Sequence, residues 1–127
     1  MINFRQCYWT TVGGGSVMFP QVIRDHAKAI LGSGLLISYT DKRGISQLGS
    51  AEHLIRHFVN RGLLEFATMP EDQSVSPLAG PYPYAITIPR DMLSEADAYT
   101  HRLPPGSTRS DSIRAAAGLG LIFYLQT

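Results

Sequence analysis

One amphipathic segment stands out in the pattern of apolar and polar positions along the chain. Four apolar side chains recur there at helical spacing and form a single stripe: Leu54, Ile55, Phe58 and Val59. Ser50 precedes the stripe, and serine is favoured as an N-cap because its hydroxyl accepts a hydrogen bond from the first turn. Gly62 follows the stripe and is typical of a residue that ends a helix. The pattern predicts a short helix from Ser50 to Gly62.

Two strand-like runs follow this helix. They extend from Leu63 to Met69 and from Tyr82 to Pro89. The segment between them, Pro70 to Pro81, is rich in proline, serine, glycine and acidic residues, which is typical of a loop. We therefore expect a two-stranded ribbon after the helix.

Elements are also predicted before and after this unit. The segment from Met1 to Val12 has a β-rich composition. Pro20 fits the first turn of a helix that ends near Gly32, because proline is favoured at the first helical position. A short helix is possible from Ser94 to Tyr99.

A helix followed by a strand is predicted at the end of the chain. A last helix begins at Ser110 or Asp111 and is expected to end at Ala117, since Gly118 and Gly120 interrupt the pattern. The apolar run from Leu119 to Leu125 then predicts a buried strand. Together the elements predict a small α+β protein with one domain over residues 1–127, in which two to four helices pack on a short antiparallel sheet.

The same periodicities predict the hydrophobic core. The expected core side chains are Val22, Ile23, Ile30, Leu54, Ile55, Phe58, Val59, Ile86 and Ile122.

Composition and charge limit the function classes. The chain has 127 residues, 44% of them apolar and 17% charged, which is typical of a globular domain. The net charge is only +1, so nucleic-acid binding would need a local basic patch. Cys7 is the single cysteine, which excludes an internal disulfide and favours a reducing, cytoplasmic compartment. No signal peptide or membrane contact is expected, because no long apolar segment is present.

The order of elements from Pro20 to Pro89 resembles a winged helix-turn-helix domain. The resemblance depends on the run Arg61-Gly62-Leu63-Leu64-Glu65 and on the acidic loop that starts with Pro70-Glu71-Asp72. In that family the helix before the Arg-Gly-Leu run reads the DNA major groove and the following hairpin forms the wing. The resemblance implies that the Ser50 helix contacts DNA.

The residues themselves favour a non-enzymatic, regulatory nucleic-acid-binding module. Cationic and polar side chains occupy the helix face opposite the apolar stripe and the preceding turn, and two tyrosines alternate near the second strand. The predicted contact residues are Lys42, Arg43, His53, Arg56, His57, Asn60, Arg61, Tyr82 and Tyr84. Lysine and arginine would bind phosphates, and tyrosines can stack on unpaired bases.

His53 and His57 also have the spacing of two zinc ligands on one helix face. The general base of the metalloprotease motif is replaced by Leu54, and no cysteine cluster supplies further ligands. We therefore expect no metal, no cofactor and no catalytic residues.

A protein partner is the alternative. Small size, near-neutral charge and aromatic loops are also typical of an inhibitor or adaptor, of the kind that phages and mobile elements carry, which blocks a macromolecular partner. Pairing of two copies through Leu119 to Leu125 would give a homodimer.

Overall fold

The computed structural model describes residues 2–4, 13–34, 37–40 and 43–126. In chain order the elements are β1 (Ile2–Phe4), β2 (Gly15–Phe19), α1 (Gln21–Gly32), β3 (Ile37–Thr40), β4 (Ser46–Leu48), α2 (Ala51–Thr68), β5 (Tyr84–Ile88), α3 (Arg90–Asp97), a 3₁₀-helix (Thr100–Arg102) and α4 (Arg109–Gln126). Within these described ranges four α-helices pack with two small sheets around a shared hydrophobic core. The predicted α+β class is confirmed.

Helix α2 is longer than its sequence pattern predicted. Gly62 does not end it, and the run predicted as the first strand of the ribbon, Leu63 to Met69, continues the helix to Thr68. Leu63 and Phe66 are fully buried and extend the apolar stripe. The apolar stripe therefore indicated the end of α2 better than Gly62 did, because tertiary packing outweighs the weak helix propensity of a single glycine.

Helix α4 also passes through the residues that were expected to interrupt it. The run from Leu119 to Leu125 is helical, so the predicted buried strand is wrong. The middle of α4 is buried on every side, from Ser112 to Gly118. The run from Leu119 to Leu125 has no charged side chain, so its sequence shows no 3.6-residue stripe and cannot be told from that of a buried strand, although Ile122 and Leu125 are exposed on the helix.

Two glycines allow α2 and α4 to touch through their backbones. A Cβ on Gly62 would overlap the carbonyl of Ala116, and a Cβ on Gly120 would overlap the carbonyl of Phe58. Residue numbers rise along α2 as they fall along α4 at these contacts, so the two helices are antiparallel. Larger side chains at either glycine would force the helices apart.

The strands pair differently from the predicted ribbon. β5 pairs antiparallel with β2 and not with the segment after the Ser50 helix. β1 is parallel to β3, which is antiparallel to β4. In the β2–β5 pair Val17 and Ile86 are buried, whereas Met18 and Ala85 are exposed, as expected for a sheet with one face on the core.

Most of the predicted core is confirmed. Six of its side chains are buried: Ile23, Leu54, Ile55, Phe58, Val59 and Ile86. Ile30 is partly buried against this core. Val22 and Ile122 are exposed, so both predictions were wrong. Val22 lies about 100° around α1 from Ile23, and Ile122 lies in the run predicted as a strand, which is helical.

The remaining element predictions have mixed outcomes. The helix after Pro20 is confirmed as α1, with Pro20 at its N-cap position. The possible helix from Ser94 to Tyr99 is α3, which begins earlier, at Arg90. Of the β-rich segment from Met1 to Val12, only residues 2–4 are described, and Cys7 and Lys42 lie outside the described residues.

Alanine at either contact glycine should destabilise the protein. We expect Gly62→Ala and Gly120→Ala each to lower the free energy of unfolding by about 1–3 kcal/mol, because the added methyl meets backbone atoms that cannot rotate away. Gly32→Ala is the control, since a Cβ there meets nothing within 4 Å. Urea denaturation measures all three, and a cost at Gly62 no larger than at Gly32 would contradict the close contact.

Candidate binding cleft and the predicted contact residues

The predicted basic face of α2 does not point outward at its centre. Arg56 is buried, and its Nε donates a hydrogen bond of 2.9 Å to the carbonyl of Thr87 in β5. Its Nη2 lies 3.5 Å from a carboxylate oxygen of Glu52 one turn earlier. Burial lowers the pKa of Arg56, and the carboxylate of Glu52 opposes this change. The prediction that Arg56 lies on the outward face is corrected, because the guanidinium holds a strand.

A second buried arginine, on α4, also binds a strand carbonyl. Arg114 donates from Nε to the carbonyl of Met18 in β2 at 2.7 Å and from Nη1 to Asp111 at 2.9 Å. Each strand of the β2–β5 pair is therefore tied by one guanidinium to one of the two long helices. Hydrogen bonds with a charged donor are stronger than neutral ones, so these two bonds hold the strands firmly against the helices.

Arg61 is half-exposed. Its Nη2 lies 2.8 Å from a carboxylate oxygen of Glu65, and its guanidinium lies 3.6 Å from the centroid of the Phe123 ring. This side chain is therefore held against α4. Arg43 is exposed.

The polar residues of the same face are half-buried. His53 closes a capping box, since its Nδ1 accepts a hydrogen bond from the backbone N–H of Ser50 at 3.1 Å. Burial, and then Arg56, lowers the pKa of His53, against the opposing effect of Glu52. Burial and Arg61 lower the pKa of His57. Asn60 is also half-buried.

The two predicted tyrosines do not share an exposed strand face. Tyr82 lies in the loop before β5, donates to the carbonyl of Leu78 at 2.6 Å and has the guanidinium of Arg114 at 3.9 Å from its ring centroid. Tyr84 stacks with Phe19, with ring centroids 6.2 Å apart. Burial raises the pKa of Tyr84 to about 12, and the nearby backbone and charge of Arg24 oppose the rise. Both rings help to hold the fold together.

These placements change the surface charge. Among the described residues, Arg56, Arg102 and Arg114 are buried, whereas every Asp and Glu is at least partly exposed. In the described residues six cationic and nine acidic side chains are at least partly exposed, so this surface carries an excess of acid. Nucleic-acid binding depends mainly on exposed cations facing phosphates.

A cleft of about 320 Å³ was not predicted from the sequence. It lies between the loop after α2, residues 71–76, and the segment 101–105 around the end of the 3₁₀-helix. The backbone N–H of Val75 donates to the carbonyl of Arg102 at 2.8 Å, which holds the two segments together. Leu103 and Pro104 give the lining an apolar part, and Ser74 and Ser76 give it a polar part.

Arg102 is the charged group of this cleft. Its side chain is only 2% exposed, and Nη1 donates to the carbonyl of Met69 at 3.3 Å. The guanidinium also lies 5.6 Å from the centroid of the Tyr99 ring. Its Nε is buried without a hydrogen-bond partner in the described part of the chain. The fold thus holds a fixed cation in a wall of the cleft.

Local sequence patterns gave no signal for this cleft. Glu71 belongs to the acidic loop after α2, and Arg102 lies far from it along the chain. The contact between them depends on how the end of α2 meets the 3₁₀-helix, which periodicity does not reveal. Within the described ranges, no group of three or more His, Cys, Asp or Glu is placed to hold a metal ion.

Comparison of the chain with protein-family models, curated proteins and solved structures found no match. None of the helices in the described residues combines the length and apolar character needed to cross a bilayer.

Replacing Arg56 should destabilise the fold. We expect Arg56→Met to lower the free energy of unfolding by about 1.5–3 kcal/mol, because the carbonyl of Thr87 loses a charge-assisted hydrogen bond. The exposed Lys28→Met is the control and should change stability by less than about 0.5 kcal/mol. Equal effects of the two variants in urea denaturation would show that Arg56 does not hold β5.

The histidines of α2 should make stability depend on pH. Their folded-state pKa values lie below the ordinary value of 6.5, so the unfolded chain binds protons more readily than the folded one. The free energy of unfolding should therefore be highest above that value and should fall as pH decreases below it, toward the lowered folded-state pKa values. His57→Gln should flatten this dependence, because it removes one of the two groups that bind protons more weakly in the folded state. Denaturation series that run parallel for wild type and His57→Gln would contradict the prediction.

Proposed function

We propose that this protein is a small non-enzymatic module that binds a protein partner, as an inhibitor or adaptor, through the cleft between residues 71–76 and 101–105. The observation that carries the proposal is the buried guanidinium of Arg102 in the wall of a preformed cleft of about 320 Å³. Binding pockets typically combine apolar lining with a few fixed polar groups, and this volume lies at the lower end of their range.

The distribution of charge supports a protein partner over nucleic acid. Arg56 binds a strand carbonyl, Arg61 binds Glu65 and Phe123, and the described surface carries more acidic than basic side chains. A nucleic-acid module would need such cations free to face phosphates. A cleft with one arginine, apolar residues and hydroxyl groups suits a single chain segment of a protein.

Cleft-dependent capture tests the proposal. Immobilised wild-type protein should retain a protein from a nuclease-treated lysate of its source cells, and Ser76→Trp, which fills the cleft, should retain much less. Ser33→Trp places the same side chain on an exposed position at the end of α1, outside the cleft lining, and should behave as wild type. The captured protein, once purified, should show the same order of affinities by calorimetry.

Two results would contradict the proposal. One is capture by Ser76→Trp equal to that by wild type. The other is binding of duplex or single-stranded DNA at low salt by tens of micromolar protein, with affinity that falls steeply as salt increases, which would support the nucleic-acid hypothesis instead.

A further inference from the structure

The cleft already holds a carboxylate, supplied by the protein itself. One oxygen of Glu71, Oε1, lies 3.3 Å from Nη2 of Arg102, and the other, Oε2, lies 3.6 Å from Nε2 of His101. The carboxylate thus lies between two nitrogen-bearing side chains of the 3₁₀-helix. This arrangement indicates the kind of group that the cleft accommodates.

Arg102 is fixed before any ligand arrives. Its contacts with the carbonyl of Met69 and with the Tyr99 ring hold the guanidinium in place, and burial removes the water that would otherwise solvate it. A buried cation is unfavourable unless charged and hydrogen-bonding partners surround it. Its Nε has no hydrogen-bond partner in the described residues, so the guanidinium retains an unused donor.

Glu71 is a weak partner for such a cation. Its side chain is 84% exposed, and it lies on a turn that is closed by a hydrogen bond of 3.0 Å from the N–H of Gln73 to the carbonyl of Pro70. Ion pairs with an exposed member contribute only about 0–1 kcal/mol. Rotation of this one side chain into water would free the site without a change of backbone.

We propose that the cleft recognises a carboxylate of its protein partner, from a free C-terminus or an acidic side chain, which replaces Glu71 between His101 and Arg102. The identification of the donor as a protein rests on the proposed function, whereas the carboxylate chemistry rests on the cleft alone. Leu103 and Pro104 then contact the apolar part of the residue that carries the carboxylate. The planar fork of arginine fits a carboxylate through two parallel hydrogen bonds.

The test is an NMR titration of isotopically labelled full-length protein with small probes. N-acetylleucine carries a terminal carboxylate on an apolar residue, N-acetylleucinamide is the same molecule without the charge, and N-acetylglutamic acid α-amide carries only a side-chain carboxylate. Inorganic phosphate tests a different anion. The expected result is saturable shifts of the Val75 amide and the Arg102 Nε–H with one or both carboxylates, and none with the amide. The stronger of the two carboxylates identifies the source.

Variants at exposed positions make the test specific. Glu71→Gln removes the internal competitor and should tighten carboxylate binding by about two- to five-fold, the equivalent of the weak ion pair that is lost. Asp72→Asn removes the same charge from a neighbouring exposed residue of the cleft and should have a smaller effect. His101→Gln should weaken binding. Both His101 and Glu71 are exposed, so these variants should fold as wild type does.

The outcomes separate this inference from the proposed function. Absence of saturable shifts with either carboxylate, equal shifts with the amide, preference for phosphate, or a Glu71→Gln affinity no higher than that of Asp72→Asn would overturn the carboxylate site. Partner capture that still depends on Ser76 would then leave the binding function standing. Carboxylate binding that follows the expected order, together with capture that ignores Ser76→Trp, would support the site and refute the proposed function.

Discussion

Helices α2 and α4 touch through their backbones, and the other helices and the β2–β5 sheet pack around this contact. Gly62 and Gly120 let the two helices approach until each glycine faces a carbonyl of the other helix. At that distance α4 is enclosed, since Ser112 also donates to the carbonyl of Ala96 in α3 and Arg114 reaches β2. Interiors are packed as densely as organic crystals, so one added methyl at these points has no space.

The small β2–β5 sheet depends on the same helix pair. Two strands of five residues are marginal by themselves, and here they are held by the core face and by the guanidinium groups of Arg56 and Arg114. This use of arginine has a functional consequence. The guanidinium groups of Arg56 and Arg114 donate to backbone carbonyls inside the protein and do not face an external partner. The described surface therefore carries more acidic than basic side chains.

The cleft is a consequence of how α2 ends. The last carbonyls of a helix lack partners within it, and a cation near that end is favourable. Arg102 supplies the cation by donating to the carbonyl of Met69, which draws the 3₁₀-helix to the end of α2 and leaves the cleft between the two segments. The same guanidinium therefore stabilises a helix end and presents charge to the cleft.

Local patterns were enough to predict the α+β class, the helix after Pro20, the start of α2 at the Ser50 cap and most of the core, because capping and periodicity depend only on neighbouring residues. Only the tertiary structure decided the length of α2 and α4, since Gly62, Gly118 and Gly120 break a helix locally and yet are buried in it. It also decided that Arg56 points inward and that Glu71 meets Arg102. These outcomes depend on which carbonyl or carboxylate from a distant part of the chain lies within hydrogen-bonding reach. The spacing of residues along the sequence does not show such contacts.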